Sequence, residues 1–171
     1  WDMQDACIDA MAAAGYAQYE VSAYARAGRQ CAHNLNYWQF GDYLGIGAGA
    51  HGKLTLGSEQ AGTHPTILRR WKTKHPAAYL ANAGTTAAIG GDERIEPARR
   101  PFDYMLNALR LVDGFALAGF EARTGLATDA IDAELQTALA HGWIRQDRGR
   151  IVPTELGRRF TNDVIGLFLP D

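Results

Sequence analysis

Trp143-Ile144-Arg145-Gln146-Asp147-Arg148-Gly149-Arg150-Ile151-Val152-Pro153-Thr154 is the stretch whose pattern speaks most directly about architecture. Trp143 to Gln146 and Arg150 to Pro153 read as strands around Asp147-Arg148-Gly149, a strong turn signal, so a β-hairpin is predicted. Thr154 then caps a final helix with Leu156, Phe160, Val164, Leu167 and Phe168 inward. Upstream, Thr128 caps a helix from Asp129 to His141, with Ile131, Leu135, Ala138 and Leu139 inward and Gly142 as its stop. A short helix at about Leu117 to Thr124 ends at Gly125. Glu96-Pro97 opens a helix through about Val112, with Phe102, Met105, Leu106, Leu109 and Val112 on one face. Three helices, a wing and a terminal helix predict a winged-helix-like module over 93–171.

Moving toward the N-terminus, Ala81 to Gly91 reads as an Ala/Gly/Thr-rich linker. Thr66 to Leu80 supports one helix carrying Leu68, Trp71 and Tyr79, interrupted near Pro76. Together these make 59–92 a connecting helix and linker, with an open turn at Gly57 to Gly62. Residues 1–58 begin with a helix over 2–14, Asp2 as its N-cap and Gly15 as its stop. A short strand follows within Tyr16 to Ser22, the helix–strand rhythm of an α/β layer. Ala23 to Gly41 reads as an irregular loop with one short turn, and Tyr43 to Leu56 as β-like and glycine-rich. The fold class expected is α/β followed by a mostly α part.

Composition narrows the function. Apolar residues at 47% and charged residues at 21% are ordinary for a globular protein, and a net charge of -2 gives no global drive toward nucleic acid or anionic lipid. No apolar run approaches the ~18 residues of a membrane span. No targeting signal is visible, so a cytoplasmic setting is expected. The chain opens at Trp1 without an initiator Met and reads as a piece of a longer protein. Its 2 cysteines, Cys7 and Cys31, cannot supply the three or four thiolates of an iron–sulfur cluster. Cys7 reads as a buried helix residue and Cys31 as a loop thiol.

Two stretches carry chemistry. His33-Asn34-Leu35-Asn36-Tyr37-Trp38 puts an imidazole, amides and two large aromatics within six residues. Imidazole is an axial ligand of heme iron, and aromatic rings offer flat apolar surface to a macrocycle. The residues alone leave open a heme-ligating loop or a hydrogen-bonded surface histidine beside core aromatics. Asp42 through Gly52 contains G-x-G-x-x-G at Gly47 to Gly52. A dinucleotide site would need a helix next and an acidic residue about 20 positions on. Instead Lys53-Leu54-Thr55-Leu56 looks extended and position 72 is Lys72, so the glycines are read as a close approach of backbone to another segment or a cofactor. His51 there reads as a structural histidine or a ligand.

Tyr19-Glu20-Val21-Ser22, the hexapeptide from His33, and Asp42 through Gly52 together resemble the end of the catalytic domain of the HemW family, the radical-SAM heme chaperones related to oxygen-independent coproporphyrinogen III oxidase. The likeness continues through Leu68-Arg69-Arg70-Trp71-Lys72, His75-Pro76, Phe102 to Asp113, Phe120 to Leu126, and Pro153-Thr154-Glu155-Leu156-Gly157. The resemblance implies the C-terminal end of a partial (β/α) barrel joined to the winged-helix-like domain. It implies heme binding by His33, as iron ligand, with Asn34, Tyr37 and Trp38 as its setting. It places Gly45, Gly47 and Gly49 near the S-adenosylmethionine side of the barrel. The family's 4Fe-4S cluster motif has no counterpart here, so the cluster and S-adenosylmethionine are expected only in the full-length parent, and this chain alone should be inactive. Heme-accepting respiratory proteins are the partners the resemblance implies.

Three rivals stand beside that reading. A coproporphyrinogen oxidase would share most of these features, but the hexapeptide favours heme transport. A winged helix could bind nucleic acid, yet the helix at 129–141 lacks Lys and Arg and carries Asp129, Asp132 and Glu134, which argues against sequence-specific recognition. Arg145, Arg148, Arg150, Arg158 and Arg159 form only a modest basic patch. The third rival is a lid and scaffold with heme bound elsewhere, in which case His33 would be dispensable.

Overall fold

The computed structural model describes residues 1–57 and 64–170. Most of the expected turn at Gly57 to Gly62 therefore lies outside the described residues. Helix α1 (Asp2–Ala13) leads into strand β1 (Ala17–Glu20), as expected. That strand pairs antiparallel with β2 (Ala23–Ala25), and α2 (Ala32–Trp38) follows where an irregular loop was expected. Next come β3 (His51–Leu56), β4 (Thr66–Lys72), α3 (Pro76–Asn82) and β5 (Ile89–Ile95), the three strands forming one antiparallel sheet with β4 central. Helix α4 (Arg100–Ala108) leads through β6 (Phe115–Ala116) to α5 (Leu117–Thr124) and α6 (Asp132–Ala140). The hairpin of β7 (Ile144–Asp147) and β8 (Arg150–Pro153) precedes α7 (Glu155–Arg159) and α8 (Thr161–Gly166). The order β6-β8-β7 makes the second three-stranded sheet, so the fold is mixed α/β with small sheets.

The hairpin follows its turn residues. Arg148 and Gly149 both take positive φ, 47° and 77°, as a two-residue loop that preserves strand twist requires. Thr154 Oγ1 accepts from the Gly157 amide at 3.0 Å, so the expected cap is present. The last helix is not continuous, however. It breaks at Phe160, and Leu156 and Phe160 stay exposed while Val164 and Phe168 are buried. The helix expected from Thr128 starts as a 3-10 turn, Thr128–Ile131, with α6 proper beginning at Asp132. The helix expected through Val112 likewise ends at Ala108.

The connecting helix and linker are the main corrections within 59–92. Leu68 and Trp71 fit a helical spacing, but residues 66–72 form the central strand instead, with partners on both sides and Ile67 fully buried. The supposed linker, Ala81 to Gly91, runs into β5, whose first residues Ile89 to Gly91 it supplies. Its glycines have a packing reason: Gly91 sits opposite Trp71, and a Cβ there would run into the indole ring. Sequence periodicity registers the small residues but not the large one across the strand.

One apolar core joins the parts. Phe40, Ile67 and Ile95 pack with Tyr104, Met105, Phe115, Phe120, Ile131, Ile151 and Val164. Arg100 lies fully buried in it and donates to the carbonyls of Thr124 (2.7 Å), Pro65 (2.8 Å) and Ile95 (3.3 Å), tying α5, β5 and the residue before β4 to α4. Cys7, expected inside, is exposed, because α1 has no buried residue and Met3 beside it is 85% exposed. Cys31 is exposed at the start of α2. Among the described residues no helix is long and apolar enough to cross a membrane.

Candidate functional site

The hexapeptide forms α2, and helical geometry divides its residues between two faces. Positions four apart stack on one side, whereas His33 and Trp38 point well away from each other. Asn34 Nδ2 donates to the Tyr19 hydroxyl at 3.1 Å, and the Trp38 ring lies under the Arg110 guanidinium at 4.3 Å. Arg110 in turn pairs with the buried Glu20 at 3.3 Å. Asn34 and Trp38 therefore fasten the helix to β1 and to the turn after α4. Trp38 does not stand beside His33, contrary to the expectation that both aromatics would share the imidazole's setting.

The other face presents a row of rings. His33 is exposed, with its imidazole edge-on to Tyr37 at 4.6 Å and 89°. Tyr37 in turn meets Tyr43 at 4.3 Å. Tyr43 was not foreseen as part of this group. It arrives through a tight reversal after α2: Phe40 takes a left-handed backbone, φ 56°, and Asn36 Nδ2 donates to the Asp42 carbonyl at 2.9 Å. Phe40 is 2% exposed, packs on Tyr104, and has the Lys53 ammonium 4.3 Å above its ring.

Asp42 closes the same reversal. It accepts from Lys53 Nζ at 2.8 Å and from the Thr55 amide at 2.8 Å and hydroxyl at 2.9 Å. Burial alone would raise its carboxyl pKa, but the hydrogen bonds from Lys53 and Thr55 outweigh that and hold it below the usual value. Lys53 is pushed down by burial, against the opposing pull of Asp42.

The glycine run folds back onto the sheet end and makes backbone contacts with its own chain. Tyr43 and Lys53 exchange both backbone hydrogen bonds, at 2.9 and 3.0 Å. Gly45 passes so close to the His51 carbonyl that a Cβ could not fit, the close approach the glycines had suggested. Gly47 N–H donates to the Tyr79 hydroxyl at 3.2 Å and Gly49 N–H to the Thr73 carbonyl at 2.9 Å. His51 is exposed and lies roughly parallel to the Trp71 ring at 6.2 Å. On the wing, Arg145 pairs with Asp147, and Arg150 donates to the carbonyls of Asp113 and Gly114.

Comparison with known proteins adds the relationship. The chain is 39% identical over all 171 residues to the heme chaperone HemW of Escherichia coli K12, of which it spans 43%. The chain is similar to HemW proteins over its full length. HemW of Haemophilus influenzae is equally similar at 39%, and that of Bacillus subtilis is 30% identical over 98% of the chain. The chain thus spans less than half the length of the HemW proteins it matches. Residues 95–160 match the model of the HemN C-terminal domain. In fold, the chain is like coproporphyrinogen III oxidase HemN of Escherichia coli, described as a radical SAM enzyme, with a TM-score of 0.62 over 98% of the chain and 40% of that structure at 15% identity.

An iron–sulfur cluster does not fit the residues present. The whole sequence carries 2 cysteines, both exposed, and among the described residues no three His, Cys, Asp or Glu side chains gather as a metal site.

Proposed function

We propose that this chain supplies the heme-holding surface of a HemW-type heme chaperone and that heme, as cargo, lies against the His33 face of α2. The observation that carries this reading is the exposed imidazole held edge-on by Tyr37, itself packed on Tyr43. A neutral imidazole nitrogen is a good axial donor to heme iron. Tyr37 limits the imidazole's orientation and, with Tyr43, offers aromatic surface to the macrocycle. Asn34 and Trp38 act from the opposite face by anchoring the helix, so the ligand is carried on a rigid element.

In this reading the 93–171 part is a winged-helix-like module that closes over the site or docks the acceptor, 1–58 is the end of a partial barrel, and 59–92 connects them. The 4Fe-4S cluster and S-adenosylmethionine belong to the part of the relatives that this chain does not span. Gly45, Gly47 and Gly49 would then lie toward S-adenosylmethionine. Heme-accepting proteins, respiratory ones among them, receive the cargo in the cytoplasm.

The test is a titration with ferric heme of the chain and of its His33→Ala form, followed at the Soret band. His33 is exposed, so the substitution should leave the fold intact, which circular dichroism will verify. We expect the Soret shift to change and affinity to fall by about tenfold or more, since losing even an outer-shell partner of a metal ligand costs about that much. Equal shifts and affinities would remove His33 from the iron.

A further inference from the structure

We infer that the cleft walled by Tyr37, Tyr43 and Arg69 is a carboxylate site in which Arg69 holds an acidic side arm of the bound tetrapyrrole; the inference rests on the placement of heme proposed above. The cleft has a volume of about 40 Å³ and is lined by Tyr37, Phe40, Tyr43, Lys53, Arg69 and Asn107. That space suits a group of a few heavy atoms and not a macrocycle. Tyr37 and Tyr43 of the ring row that leads from His33 form part of its wall. A flat ligand lying along the row would bring a peripheral substituent to its mouth.

The lining carries two cations and no carboxylate. Lys53 is 4% exposed and committed to Asp42 at 2.8 Å, so it forms a fixed positive wall. Arg69 is different. Its Nη2 donates to Asp103 Oδ1 at 2.8 Å, and Asp103 is almost fully buried. Its side chain remains 28% exposed, and Nη2 is the only guanidinium nitrogen with a hydrogen-bond partner among the described residues. The guanidinium is therefore oriented at one end and available at the other. A planar fork fixed in this way matches a carboxylate better than a flexible ammonium would. The register explains the placement: Arg69 stands directly opposite Lys53 across the β3–β4 pair, so one sheet face delivers both cations to one cleft.

The experiment compares ferric heme with its dimethyl ester, which keeps iron and ring but lacks the acidic arms, on the chain, on Arg69→Gln and on His33→Ala. The chain should bind the free acid about tenfold more tightly than the ester, the scale of one charge-assisted hydrogen bond. Arg69→Gln should lose that preference with little change for the ester. His33→Ala should weaken both ligands and keep the preference. Equal binding of acid and ester by the unsubstituted chain would overturn the site, whether or not the Arg69 variant folds. Loss of both ligands alike in folded Arg69→Gln would also overturn it, because that is the signature of a merely structural arginine. If instead His33→Ala bound like the parent while the Arg69-dependent preference persisted, the carboxylate site would stand and the iron's placement would fail.

Discussion

The His33 imidazole meets the Tyr37 ring edge-on, centroids 4.6 Å apart and planes at 89°. They are four positions apart on one short helix, so the contact is set by helix geometry. Tyr37 is thereby a positioning residue for His33. Replacing it with Leu keeps the helix and removes both ring contacts, each worth about 0.5–1.5 kcal/mol. Heme affinity should fall about three- to tenfold in a titration, with the Soret maximum unchanged because the iron ligand remains.

Phe40 is the hinge that brings Tyr43 to Tyr37. A left-handed backbone costs a non-glycine residue about 1–2 kcal/mol, so packing must hold it there. Its ring sits against Tyr104 and beneath the Lys53 ammonium. Phe40→Ala should destabilise the chain by about 3 kcal/mol or more in denaturant unfolding. A loss under 1 kcal/mol would show that the reversal is held by something else.

On the opposite face of α2, Arg110 covers Trp38 and pairs with Glu20, which is only 4% exposed in its side chain. Arg110→Met would leave that carboxylate buried with the Ser22 amide as its remaining hydrogen-bond partner among the described residues. The expected cost is about 2 kcal/mol, and adding Glu20→Gln should recover part of it. Additive losses in the double variant would contradict the pairing.

Tyr104 gives a pH prediction. Burial raises its hydroxyl pKa to about 12, although the charges of Arg123 and Arg150 pull the other way. The folded value lies above the unfolded value of about 10. Above pH 10 the unfolded chain therefore sheds a proton that the folded chain keeps. Stability is fully present below about pH 10 and declines as pH rises toward 12. Tyr104→Phe should flatten this part of the alkaline limb in thermal unfolding; an unchanged limb would exclude Tyr104 as its source.

Local signals were legible where one residue dictates its own surroundings. Asp147-Arg148-Gly149 announces a turn, Thr154 a cap, and Gly125 the end of α5, and each is found in place. What depended on distant partners was not legible. Trp71 reads as a helix residue until the strand across from it is known to carry Gly91. At the site, the histidine and tyrosine could be picked out by type, but a loop reading could not tell that α2 separates His33 from Trp38. Tyr43 and Arg69 carried no signal of belonging together, since the cleft they share exists only after Phe40 turns the chain and β4 pairs with β3.

The most direct test of the account is electron paramagnetic resonance of the ferric-heme complex, with hyperfine detection of the axial nitrogen, on the chain and its His33→Ala form. The chain has 5 histidines, so the variant is essential to the assignment. The account predicts an imidazole-nitrogen signature in the parent, its loss in His33→Ala, and its return on addition of free imidazole. The same signature in both proteins, without added imidazole, would contradict it.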